Sequence, residues 1–152
     1  MRRPFLLLLL CCLWALPLQA ATGRVIKVLP HFLDRQGRHT LSPSLYERDA
    51  YQFQLRQHPE QRSGMRFDVQ WKASGGVYSP LKLRVELRGT ANGNLPSETT
   101  LELPVKSHGW FGHWVSLPLT GAQYTKIGEV TAWRVTLWEG DQLLSSQNSF
   151  LW

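Results

Sequence analysis

The 152-residue sequence is poor in cysteine: it has two, Cys11 and Cys12, and both fall in an apolar run at the start of the chain. Beyond that run no cysteine is left, so the rest of the chain has neither a disulfide framework nor a cysteine-based zinc set. It also lacks any Asn-x-Ser/Thr acceptor, any Gly-x-Ser-x-Gly elbow and any glycine-rich phosphate loop followed by lysine. Internal repeats and low-complexity tracts are missing too. The only long hydrophobic run is the one near the N-terminus, and it is shorter than the ~20 residues a membrane-crossing helix needs.

That N-terminus is built like an export signal. Arg2 and Arg3 form a charged start, Phe5 to Leu16 an apolar core, and Ala20 and Ala21 the small residues of a cleavage site. Residues 1–20 are therefore read as a signal peptide removed after Ala20. Twin-arginine and lipoprotein routes fit less well, because Leu6 to Leu10 is uninterrupted apolar sequence and neither cysteine closes the run behind a small residue. The general secretory route is expected, delivering the chain to a periplasm or to the exterior. A cysteine-free exported chain without glycosylation acceptors points to a bacterial envelope.

The remaining 132 residues, 21–152, suffice for one domain with a core of its own. Setting aside Arg2 and Arg3, their net charge is +4, with cations and carboxylates interspersed. So mild an excess permits contact with an anionic polymer but gives no reason to expect nucleic-acid binding.

What the sequence does have is period-two alternation. Met65, Phe67, Val69 and Trp71 alternate with Arg66, Asp68, Gln70 and Lys72; Leu81, Leu83, Val85 and Leu87 alternate with Lys82, Arg84, Glu86 and Arg88. Such runs are half-buried antiparallel strands. Further strands are predicted at 24–32, 99–105, 113–119, 131–138 and from Gln142 onward, the last two joined as a hairpin through Glu139-Gly140-Asp141. Turns are predicted at 74–76, 89–96 and 121–128. Ser44 with Glu47 three residues on is a capping box; Tyr46, Ala50 and Phe53 share a helical stripe and Pro59 follows. A short helix near 44–57 is therefore predicted, although Tyr51, Phe53 and Leu55 also alternate as a strand would.

About seven short strands with one helix predict an all-β fold, an immunoglobulin-like antiparallel β-sandwich in which Trp71 and Trp133 serve as core aromatics. An outer-membrane β-barrel would share the alternation and the aromatic C-terminus. Its strands need about 9–11 residues, and Pro104 and Pro118 interrupt two of those predicted here.

For chemistry, the sequence offers no constellation. His108 and His113 are five apart, on opposite faces if on one strand, so no metal site is predicted. Asp68 and Glu86 sit among Arg and Lys on outward faces, as ion-paired carboxylates do. No catalytic residue, metal or cofactor is expected, and a non-catalytic binding module is the reading. An accessory subunit of an envelope complex is the alternative, and an unrecognised enzyme a more distant one. The candidate contact surface is Trp110, Phe111, Arg134 and Trp138, with Lys82, Arg84 and Arg88, because aromatic rings beside cations can stack on sugars or hold anions. The expected partner is an anionic or glycan polymer, or an envelope protein; the mature chain is expected to span no membrane.

Overall fold

A computed structural model describes residues 21–106 and 112–152. The predicted signal peptide, with Ala20, lies outside the described residues, as do Trp110 and Phe111.

The described residues form seven strands and two α-helices: β1 (Thr22–Asp34), α1 (Leu45–Gln57), β2 (Arg62–Ser74), β3 (Leu81–Ala91), β4 (Leu95–Val105), β5 (His113–Thr120), α2 (Gly121–Ile127), β6 (Glu129–Glu139) and β7 (Gln142–Asn148). They pair into two antiparallel sheets, ordered β1-β2-β5 and β4-β3-β6-β7. This is the predicted immunoglobulin-like sandwich, with the fourth strand beside the third rather than beside the fifth. Neither sheet closes on itself, and the apolar faces turn toward each other, so the barrel alternative is set aside. Among the described residues no helix is long and apolar enough to cross a membrane.

The alternation places the core as read. Phe67, Val69 and Trp71 from β2 meet Leu83, Val85 and Leu87 from β3 and Val135 and Leu137 from β6, each at most 2% exposed. Burying one full set of alternate side chains fixes the register, because a one-residue slip would turn that set to solvent. Trp133 departs from its partners: it packs against the core but stays half-buried. Pro30, Pro96, Pro104 and Pro118 all lie on β1, β4 or β5, which are edge strands, where a missing N–H costs no ladder hydrogen bond.

Two boundaries differ from the sequence reading, and one predicted helix faces an unexpected way. The predicted turn at 121–128 contains α2, which inserts Ile127 into the core and packs Tyr124 against it. The predicted loop at 89–96 is a hairpin whose tip is Asn92-Gly93-Asn94, all at positive φ, so β3 and β4 run further than their alternation suggested. The helix near 44–57 is present and Ser44 caps it, accepting from the Glu47 N–H at 3.5 Å. Its orientation is the surprise: Tyr46 and Phe53 face outward, 84% and 60% exposed, and Leu55 is its only buried residue.

Polar contacts hold α1 instead. The Gln52 side chain accepts from Phe32 N at 2.8 Å and donates to the carbonyls of Phe32 (3.0 Å) and His39 (2.8 Å). Gln52 thus acts as a one-residue strand on the free edge of β1. The Arg62 side chain, 3% exposed, donates to the carbonyls of Leu55 and Arg56 in the last turn of the helix, and its guanidinium lies 4.0 Å from the centre of the Phe32 ring. Replacing Gln52 by alanine is expected to cost about 1–3 kcal/mol, because partly buried backbone groups of Phe32 and His39 lose their partner. Hydrogen exchange should show the loss as faster exchange confined to Phe32 and α1.

Candidate functional site

The outer face of the four-stranded sheet gathers the described members of the predicted contact surface. Register places them in rows across the strands: Pro104, Lys82, Trp138 and Leu143; then Glu102, Arg84, Thr136 and Ser146; then Thr100, Glu86, Arg134 and Asn148; then Glu98, Arg88 and Ala132. Lys82, Arg84, Arg88, Arg134 and Trp138 therefore share one surface because they are the even-numbered residues of β3 and β6. Trp110 and Phe111 lie outside the described residues and cannot be placed on it.

One residue joins that the sequence reading left out. Ser149 continues the pairing with β6, exchanging bonds with Trp133, and the chain then turns so that Trp152 folds back over the sheet. The Trp152 ring lies 4.1 Å from the Arg88 guanidinium and 4.7 Å from that of Arg134, while Arg84 stands 5.3 Å from the Trp138 ring. Trp138 Nε1 donates to Thr136 Oγ1 at 2.8 Å, which fixes the indole along its strand. Both rings are half-buried, Trp138 with one guanidinium beside it and Trp152 with two.

Every one of the four cations also meets a carboxylate. Lys82 and Arg84 share Glu102 at 3.2 and 2.6 Å, Arg88 is 3.4 Å from Glu98, and Arg134 holds Glu86 through two bonds of 2.7 and 2.9 Å. The hydrogen bonds from Arg134 keep the Glu86 carboxyl below its ordinary range, and Glu86 in turn raises Arg134. Bonds from Arg84 and then Lys82 hold Glu102 down likewise. Four cations against three carboxylates leave the face almost neutral. It offers alternating donors and acceptors around two indoles rather than a field of one sign.

A second polar cluster lies on the outer face of the other sheet. Asp68, on β2, accepts from Arg66 at 2.8 Å and from Ser116 on β5, and lies 3.6 Å from His31 Nε2. His31 and His39 rings stand 5.2 Å apart, and Arg66 donates to His39 Nε2 at 3.2 Å. Arginine can only donate, so His39 Nε2 is unprotonated. Burial first, then the nearby guanidinium groups, hold both imidazoles below their ordinary pKa, while Asp68 opposes the shift. The Ser116 hydroxyl donates to the Asp68 carboxylate directly and not to an imidazole, which is not the Ser-His-Asp order. Among the described residues no group of three or more His, Cys, Asp or Glu side chains could hold a metal ion. His108 is outside the described residues, and His113 packs its ring 5.5 Å from Trp71.

Fold and face together define a two-sheet, immunoglobulin-like module with an aromatic and ion-paired outer sheet. Comparison with known families, with curated proteins and with solved structures finds no match to this chain.

Proposed function

We propose that the chain is an exported, non-catalytic binding module that holds an extended glycan across the outer face of its four-stranded sheet. The observation that carries this reading is the convergence of Arg84, Arg88, Arg134, Trp138 and Trp152 on one open, nearly neutral surface. Sugar hydroxyls both donate and accept, which suits alternating guanidinium and carboxylate groups, and sugar rings stack on indoles. An anionic polymer is the weaker partner, because each cation already has a carboxylate. Export by the general secretory route to a periplasm or the exterior rests on the N-terminal pattern of Arg2, Arg3, the apolar run and Ala20-Ala21.

Binding of the mature chain to immobilised neutral and anionic polysaccharides tests the proposal. Retention on a glycan should persist as salt is raised, since the contacts are stacking and hydrogen bonds rather than net charge. Trp138→Ala is expected to weaken that binding roughly 3- to 30-fold, the equivalent of about 0.5–2 kcal/mol for one ring contact, with little change in melting temperature. A large fall in melting temperature with unchanged binding would assign Trp138 to packing alone.

An accessory-subunit role, the second reading, draws on a different surface: the outward apolar side chains of α1.

A further inference from the structure

Helix α1 is amphipathic the wrong way round for a packed helix. Toward the sandwich it turns Arg48, Tyr51, Gln52 and Leu55, of which only Leu55 is aliphatic. Toward solvent it turns Tyr46, Ala50 and Phe53, with Leu45 at 67% and Leu41 in the preceding loop at 61% exposure beside them. A contiguous apolar stripe open to water contributes nothing to the fold that carries it and marks an interaction surface.

We infer that the occupant of this stripe is a second copy of the chain, with the two α1 helices packed antiparallel about a two-fold axis. The stripe is self-complementary, as a two-fold interface must be, and small Ala50 between the Tyr46 and Phe53 rings allows close approach of the backbones. Charge sets the direction. Asp49 and Arg56 are seven residues apart, hence two turns apart on the same flank of the stripe. An antiparallel pair puts Asp49 of each copy opposite Arg56 of the other, making two ion pairs, and brings the two Phe53 rings together near the axis. A parallel pair would put the Asp49–Arg56 flanks of the two copies on opposite sides of the seam, so neither charge would meet its opposite. The Asp49 side chain is 73% exposed, and among the described residues its hydrogen bonds come from its neighbour Arg48 at 3.3 Å, a pair that an Arg56 of the other copy can join. Arg56 is exposed and no carboxylate partner for its side chain is found among the described residues. The flanking charges Glu47, Asp49 and Arg56 give no positive excess, which argues against an anionic lipid surface as the occupant.

The helix sits against β1 of the three-stranded sheet, so the pair leaves both copies of the opposite sheet face open. Dimerisation does not depend on what those faces bind. The interface is one short helix per copy, below the ~800 Å² per partner of a standard stable interface, so the dimer is weak and concentration-dependent.

Sedimentation velocity of the mature chain from about 1 to about 500 µM covers the range of such an affinity. The wild type should move from monomer to dimer across it. Asp49→Arg and Arg56→Asp should each weaken the dimer about tenfold or more, and the two reversals combined should restore it. Phe53→Glu should abolish it with the melting temperature of the dilute monomer unchanged. A wild-type chain that stays monomeric throughout overturns the inference, as does a dimer that survives Phe53→Glu or fails to recover in the double reversal. A monomer that co-sediments with phosphatidylglycerol and phosphatidylethanolamine vesicles, and loses this with Phe53→Glu, also overturns it and assigns the stripe to lipid.

Discussion

Replacing Trp71 by alanine is expected to cost about 3–5 kcal/mol of folding stability, the usual penalty for emptying a buried indole site. Trp71 is 2% exposed at the β2 and β5 pairing, opposite His113, and deep among the core side chains of both sheets. For a domain of this size that loss lowers the melting temperature on the order of 10–20 °C. Trp133→Ala should cost clearly less, because that ring is only half-buried. The indole N–H of Trp71 is buried and finds no hydrogen-bond partner among the described residues. Trp71→Phe, which removes that donor along with part of the ring, is therefore expected to be much milder than alanine. Thermal unfolding of the three variants checks the order. Equal costs for Trp71→Ala and Trp133→Ala would contradict the burial difference.

The contrast between these two tryptophans shows where sequence pattern ends. Alternation said which face of a strand is apolar, and Trp133 shares its face with fully buried Val135 and Leu137. It could not say how far along the strand the opposing sheet extends to cover that face. The same limit applies to α1: the cap at Ser44 and the Tyr46, Ala50, Phe53 spacing were legible as a helix, but periodicity carries no direction, and the stripe points outward. Helix α2 went unread because Gly121 and Gly128 bound so short a segment that their turn chemistry outweighed the Tyr124 to Ile127 spacing inside it. His31 was hidden because β1 carries a bulge between Val25 and Lys27, which breaks the alternation, and because its cover comes from α1, an element remote in sequence.

The described contact residues were more legible than the fold around them. Lys82, Arg84 and Arg88 declared a common face by spacing alone, and Arg134 and Trp138 did so on β6. That β3 and β6 are neighbours is a fact of topology, and only that fact makes the two sets one surface. Trp152 had no signal of its own, since it acts after the last strand by folding back. The pairing of each cation with a carboxylate was equally invisible, and it changes the chemistry from charge attraction to stacking and hydrogen bonding.

Acid should destabilise the protein in two separable steps, each with a sign fixed by direction of shift. His31 and His39 have folded pKa values below the ordinary imidazole value of 6.5, so the unfolded chain takes up protons first. Their contribution is fully present above pH 6.5 and is lost as pH falls below it toward the folded values. The groups facing them are Asp68 and Arg66 on β2 and Arg48 on α1, with His39 also opposing charge on His31. Protonating His39 also turns its Nε2 from acceptor to donor against Arg66, in the loop whose carbonyl Gln52 holds. The second step belongs to the depressed carboxylates, Asp34 foremost, with Glu86 and Glu102 adding to it. Burial pushes the Asp34 carboxyl up, but bonds from the Arg38 and Gln36 amides, the Tyr51 hydroxyl and the Arg38 side chain outweigh that and bring it down to about 2 from 3.8. So depressed, Asp34 stabilises the fold above pH 3.8, and this contribution of about 2 kcal/mol is lost as pH falls from there to about 2. Urea unfolding at a series of pH values should show a plateau near neutrality, a first decline below pH 6.5 and a second below about 4. A chain carrying His31→Gln and His39→Gln should lose the first decline, and Asp34→Asn should shrink the second, which Glu86 and Glu102 share, along with lowering part of the plateau. Imidazole titration by NMR in the intact chain is a check that does not depend on how the variants fold. Folded-state pKa values at or above 6.5 for both rings, or unfolding curves that stay flat from pH 7 to 5, would refute the first step.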